Sequence, residues 1–209
     1  AVDATVPRTA EIYQSSRSGA VWGKGQRANI LKDSVTLLAH PAASPDGKYL
    51  YFVADAIGGY GGKDIFRTRM VGNSDFGGME NLGAEINTPG DELFPYVRDS
   101  ATIYFASDGH PGMGGLDLFK ATLDSTGRWQ VVNMGAPINS SGDDFGITFE
   151  GSRERGFFSS NRGDARGWDH IYSFDYPTFT VKIEGYVSDV EEVPVEKAIV
   201  RIVGRDGMN

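Results

Sequence analysis

The stretch Ser44-Pro45-Asp46-Gly47-Lys48-Tyr49-Leu50-Tyr51-Phe52, with Gly59-Tyr60-Gly61-Gly62-Lys63-Asp64-Ile65-Phe66 behind it, decides the fold because its pieces recur. Tyr51-Phe52 returns 53 residues later as Tyr104-Phe105, and 53 residues after that as Phe157-Phe158. Lys63-Asp64-Ile65-Phe66 returns as Leu116-Asp117-Leu118-Phe119 and then as Trp168-Asp169-His170-Ile171-Tyr172. Upstream, Glu11-Ile12-Tyr13 lies 53 residues before Asp64-Ile65-Phe66. The ends of the units match as well: Gly83-Ala84-Glu85-Ile86-Asn87 through Glu92 parallels Gly135-Ala136-Pro137-Ile138-Asn139 through Asp144. Several landmarks at one spacing mark an internal repeat.

Each unit reads as four short strands. An opening strand (Leu93 to Val97) runs to a turn such as Ser44-Pro45-Asp46-Gly47, where Pro presets φ and Gly accepts φ > 0. A β-rich strand follows, at Leu50 to Val53, Ile103 to Ala106 and Phe157 to Ser159. Then come a glycine loop (58–62 or 112–115), a third strand opening at the recurring Asp, and a fourth marked by Trp22 or by Trp129 to Val132. Four antiparallel strands in a unit of roughly 40–50 residues predict a β-propeller blade. Helical solenoids do not compete, because no ten-residue stretch free of Gly and Pro carries a 3.6-residue period. The chain is expected to be all-β, with about thirteen propeller strands: a partial blade at 1–39, blades at 40–92 and 93–144, and a partial blade at 145–177. The incomplete ends predict a piece of a longer protein. Beyond Tyr176-Pro177 the period breaks, and Val181 to Asp189 with Ala198 to Val203 predict the first strands of a separate β-sandwich at 178–209.

Composition narrows the function. Twenty-eight Gly and nine Pro suit short strands and tight turns. A net charge of −8 repels phosphate backbones and anionic lipid heads, which argues against nucleic acid and direct membrane insertion. No run of ~18 apolar residues exists to span a bilayer, and Ala1-Val2-Asp3-Ala4 shows neither the basic nor the apolar region of a signal peptide. With no cysteine there are no disulfides, thiolate nucleophiles or thiolate metal sites.

The repeats resemble the PD40/WD40-like propeller repeats of TolB and of OmpA-family proteins in Bacteroidota-type envelopes. The likeness covers about residues 11–175 and is carried by Ser44 to Phe52, Gly59 to Phe66 and Ile86 to Glu92. The tail, through Ile183, Gly185, Val187, Asp189, Pro194, Ala198, Val200 and Ile202, resembles the opening of a carboxypeptidase-regulatory-like domain. In that family such a pair commonly precedes an OmpA-like peptidoglycan-binding domain, in periplasmic proteins that include the PorE component of type IX secretion. The resemblance implies a periplasmic, outer-membrane-associated scaffold whose partners are envelope or secretion-system proteins. Peptidoglycan would be reached only through a domain outside this sequence.

The repeated Asp64, Asp117 and Asp169 invite a metal or catalytic reading. Each instead opens a strand behind a glycine loop, where a carboxylate accepts backbone N–H bonds and locks the turn. The polar clusters Asn87–Glu92 and Asn139–Asp144 offer oxygen ligands for Ca²⁺ but lack its loop spacing, and read as solvated turns between blades. His40, His110 and His170 form no zinc motif, and no G-x-S-x-G elbow is present. No cofactor or metal is expected, and no enzymatic activity. The alternative is a propeller glycoside hydrolase or sugar-binding propeller, for which Glu80, Glu150 and Glu154 are the carboxylates that depart from the repeat. Tyr51, Phe52, Phe105 and Phe158 are core candidates. Tyr60, Trp168 and Trp22 are candidate contact anchors, and Arg153, Arg155, Arg162 and Arg166 a locally basic surface for a carboxylate-bearing partner.

Overall fold

The computed structural model describes residues 10–30, 35–71, 75–176 and 185–199. The chain divides into two compact units, Ala1–Tyr176 and Pro177–Asn209. Among the described residues there is no helix; every strand pair is antiparallel.

Three meandering sheets make up most of the first unit. The first holds β5 (Val35–Ala43), β6 (Tyr49–Ala56), β7 (Asp64–Val71) and β8 (Asp75–Asn81) in sequence order. The second repeats it with β9 (Glu92–Val97), β10 (Thr102–Ser107), β11 (Asp117–Leu123) and β12 (Trp129–Asn133). The third has three strands, β13 (Asp144–Phe149), β14 (Arg155–Ser160) and β15 (His170–Asp175). Ahead of them, β1 (Tyr13–Gln14) pairs with β4 (Gln26–Arg27), and β2 (Arg17–Ser18) forms a hairpin with β3 (Val21–Trp22).

The described strands number fifteen, against about thirteen expected, because the first partial unit contains that extra hairpin. Trp22 belongs to the hairpin and not to a fourth strand; that place beside β1 falls to β4. The expected boundary at 39/40 falls inside β5, while β9 and β13 open at Glu92 and Asp144, one residue earlier than expected. The recurring Asp also needs correcting in its last copy. Asp64 stands opposite Ala54 and Asp117 opposite Ser107, but the residue opposite Ser160 is His170. Asp169 is exposed and precedes the strand, because the last loop places its acid one residue short of the ladder.

Alternate strand residues point to opposite faces, and the sheets use both. Tyr51, Val53 and Ile65 of the first sheet pack with Val97, Ile103, Phe105, Phe119 and Ala121 of the second. Tyr104, Ala106 and Leu118 turn the other way and pack with Ile147, Phe149 and Phe158 of the third. The β1–β4 ribbon covers the remaining face of the first sheet, where Ile12 and Ala28 meet Leu50, Phe52, Ala54 and Phe66. The sheets therefore stack face to face, and the middle strands β6 and β10 are apolar continuously because both faces are covered. Strand β14 alternates instead, with Phe158 buried and Phe157 53% exposed.

Each first strand carries a bulge. At it, His40 (φ 48°), Phe94 (φ 51°) and Gly146 (φ 66°) take the left-handed conformation, which is costly for ringed side chains. The rings stack across the sheets, His40 on Phe94 at 3.9 Å and Phe94 on Phe145 at 4.8 Å. Phe94 also donates its backbone N–H to His40 Nδ1. Burial, with a smaller contribution from the Lys63 charge, pushes the His40 pKa down and so favours the neutral ring that can accept it.

In the second unit, Asp189 closes a tight turn by accepting the N–H groups of Glu191 and Val193 at 3.0 and 2.9 Å, and Ser188 bridges to Pro194. Of the expected strands at Val181–Asp189 and Ala198–Val203, residues 181–184 and 200–203 lie outside the described residues, and the described parts hold only the isolated Ser188–Pro194 bridge.

Candidate interaction rim

One edge of the stack is a continuous line of loops. The glycine loop between β6 and β7 meets the connector that follows β8, and Gly62 N–H donates to Gly90 O at 2.9 Å. That connector meets the loop between β10 and β11, where Asp91 N–H donates to Asp108 Oδ1 at 2.7 Å. The pattern repeats one sheet on: Leu116 N–H donates to Asp143 Oδ1, and Asp143 N–H to Asn161 Oδ1. The approach is close enough to require glycine. A Cβ on Gly61 would stand 2.2 Å from Thr88 O, and one on Gly114 2.1 Å from Gly142 O.

Three kinds of polar group hold this rim. Asp64, 1% exposed, accepts Tyr60 N–H and Asn81 Nδ2 on Oδ2, while Asp117 accepts Met113 and Gly114 N–H. The other oxygen of each, Oδ1, is buried without a hydrogen-bond partner. Asn87 and Asn139 clasp the strand edge as a paired residue would. Asn87 accepts Ile65 N–H and donates to Ile65 O, and Asn139 does the same to Leu118. At the connector ends, Glu92 accepts from Thr88 N–H, Thr88 Oγ1 and Ser107 Oγ, and Asp144 from Ser140 N–H, Ser140 Oγ and Arg162. Burial pushes the Glu92 pKa up against those hydrogen bonds. The connectors are therefore not solvated turns: Ile86, Asn87, Ile138 and Asn139 are all buried, because their side chains plug the seam between sheets.

The expected basic surface is mostly spent internally. Arg162 donates to Pro137 O, Ile138 O, Ser160 Oγ and Asp144, and lies over Phe158 and Tyr172 at 5.0 and 5.1 Å. Arg153 and Arg155 both pair with Glu150, and Arg166 pairs with Asp164. Arg98 holds Glu154 at 3.0 Å while binding Gly151 O and Arg153 O. Glu80 pairs with Arg67 on the first sheet. The three carboxylates outside the repeat thus answer to different arginines. Among the described residues no three His, Asp or Glu side chains stand together as a metal site would need.

Large apolar side chains stand exposed on the rim beside charged ones. The loops before the third strands present Tyr60 (49% exposed), Met113 (51%) and Trp168 (61%), one per sheet, with Ile57 beside Tyr60. Arg166 lies 4.0 Å over the Trp168 ring. Trp22 is also exposed, but on the β2–β3 hairpin. Met113 escaped the sequence reading because only aromatics were weighed as anchors; its place in the loop, 53 residues after Tyr60, is the signal that finds it.

No family model and no curated protein sequence matches the chain. Among solved structures, an α-L-arabinofuranosidase from Lactobacillus brevis aligns at 12% identity and a TM-score of 0.45, over 88% of this chain and 62% of that one. A puromycin hydrolase aligns at 12% identity and a TM-score of 0.43, over 72% of this chain and 28% of that one. The chain thus spans less than two thirds of either neighbour, and at this level of similarity neither lends it an activity.

Proposed function

We propose that residues 1–177 are consecutive blades of a β-propeller that binds protein partners and catalyses no reaction, and that 178–209 open a carboxypeptidase-regulatory-like domain. The observation that carries the reading is the rim: the loops of the first two sheets are fixed by buried carboxylates and asparagines, and Tyr60, Met113 and Trp168 stand in solvent along it. Aromatic side chains on pinned loops have few rotatable bonds and lose little freedom on binding, while a flexible thioether adapts to the partner's surface, and a few such residues can dominate an interface. The repeated carboxylates support the same reading, since Asp64, Asp117, Glu92 and Asp144 all accept bonds that hold loops. The setting proposed is the periplasm, in a peptidoglycan-associated OmpA-family protein that links the cell wall or outer membrane to an envelope machine of the type IX secretion kind.

Photo-crosslinkers placed at Tyr60 and Trp168 in cells test it. Envelope or secretion proteins should be captured, and capture should be lost when Tyr60, Met113 and Trp168 are changed together to Ser. Capture that survives the triple change sinks the rim as the docking site. A glycan-cleaving activity abolished by Glu150→Ala or Glu154→Ala would sink the non-catalytic reading altogether.

A further inference from the structure

Sulfur is scarce in this chain, which has five methionines and no cysteine. Of the described methionines only Met113 is exposed. Met70 and Met79 pack against the core between the β1–β4 ribbon and the first sheet, and Met134 packs against the core between the second and third. We propose that Met113 is an oxidation site at which hydrogen peroxide switches the docking rim off while the fold stays intact. The proposal deepens the protein-binding reading and rests on it.

The loop is built so that the sulfur can change without loosening it. Asp117 Oδ2 accepts the N–H groups of Met113 and Gly114 at 2.6 and 3.0 Å. The flanking glycines lie against the body of the protein: a Cβ on Gly112 would stand 1.9 Å from Asp117 Oδ2, and one on Gly114 2.1 Å from Gly142 O. The loop is therefore held through its backbone and the Asp117 carboxylate. The Met113 side chain belongs to none of the three apolar cores. Its loop is on the second of the three sheets, between the loops that bear Tyr60 and Trp168.

A thioether is a nucleophile toward peroxide oxygen. The sulfur lone pair attacks one oxygen of hydrogen peroxide, and the S–O bond forms as the O–O bond breaks. The hydroxide released takes the proton of the transferred oxygen and leaves as water. Sulfur is thus oxidised by two electrons and the peroxide reduced. The product sulfoxide is polar and chiral, and methionine sulfoxide reductases reverse it. At Met113 it replaces an adaptable apolar contact with a group that must be desolvated before a partner can cover it. At Met70, Met79 and Met134 the same change would set a polar group against a core, but there packing shields the sulfur from the oxidant. Position separates a reversible signal from damage.

Hydrogen peroxide added to the whole protein tests this, with Met208→Leu removing the methionine that lies outside the described residues. Peptide mass spectrometry should show Met113 gaining one oxygen at least about tenfold faster than Met70, Met79 or Met134. The urea midpoint of the singly oxidised protein should equal that of the untreated protein. Capture of envelope proteins by the Tyr60 photo-crosslinker should fall about tenfold on oxidation and return after a methionine sulfoxide reductase is added. In Met113→Leu, peroxide should leave capture at that variant's own untreated level. Equal oxidation of all four methionines, a lowered urea midpoint, a peroxide response that survives in Met113→Leu, or capture unchanged by oxidation would each overturn the proposal. In the last case the switch falls and the docking reading stands. Capture missing before any oxidant is added would remove the docking reading, and the switch with it.

Discussion

The two seams between sheets share one plan and close it with different chemistry. Connectors 83–91 and 135–143 both run Gly-Ala-x-Ile-Asn, both clasp the preceding third strand with Asn, and both end on a fully buried carboxylate. At the first seam that carboxylate is Glu92, met by the hydroxyls of Thr88 and Ser107, while His110 Nε2 lies 2.8 Å from Ile86 O. At the second it is Asp144, one methylene shorter, and Arg162 spans the gap, reaching both Asp144 at 2.5 Å and Ile138 O. A longer acid with neutral donors and a shorter acid with a permanent cation fill equivalent sockets. The lesson is that the repeat conserves a shape, a plugged seam, and leaves its charge free to vary.

That contrast can be broken by unequal effects. Arg162→Met leaves Asp144 buried without its cation and should cost about 3 kcal/mol, against about 1 kcal/mol for His110→Ala, read from urea midpoints. Equal losses would mean that both sockets work by shape alone. The shared part should behave alike: Asn87→Ala and Asn139→Ala each strand a backbone N–H and C=O and should each cost about 2 kcal/mol. A marked inequality between those two would show that the clasps are not equivalent.

The seams should also separate by pH. Burial raises the Glu92 pKa above its usual 4.5. Its stabilising contribution is therefore complete below that value and is lost as pH rises through the elevated one. Glu92→Gln should flatten the fall in stability over that window in urea titrations run at a series of pH values. A wild-type curve no steeper than the variant's would contradict it. The smallest effect lies beside the second seam. Hydrogen bonds from Arg166, then His170, hold the Asp164 pKa down to about 2. The turn it caps is thus supported above the usual 3.8 and is released as pH falls through about 2, which an NMR titration of the Asp164 carboxyl would register as its midpoint.

The stacked sheets were legible because burial on both faces writes itself into composition. Tyr51-Phe52 and Tyr104-Phe105 are apolar pairs since one ring faces each neighbour, and Phe157-Phe158 extends the pattern to a face where only Phe158 is covered. The turn at Ser44–Gly47 was equally plain: Gly47 takes φ 69° and its N–H donates to Ser44 O. The connectors were legible as a repeat but not as buried, because Asn, Thr, Gly and Asp read as solvent-facing unless their bonding partners are known. Asn87 is interior only because an amide presents the same donor and acceptor as a peptide group. The rings of His40 and Phe94 at positive φ carried no signal at all, since strain of that kind arises from neighbouring strands and not from local propensity. Of the anchor residues, Tyr60 and Trp168 sit on the rim, while Arg162 was misjudged because a basic side chain looks free until the carbonyls it binds are in view.

The clasps also have a mechanical meaning. Tension applied through the chain enters the second sheet by way of connector 83–91, and that connector is tied back to both sheets it joins. Before this connector could pull free, the two bonds of Asn87, the Gly62–Gly90 bond and the Asp91–Asp108 bond would have to give way together. Bonds loaded side by side share the force, whereas the edge of a sheet unzips one pair at a time. Such ties add to the shared cores, so that the joints between stacked sheets resist pulling as the sheets themselves do.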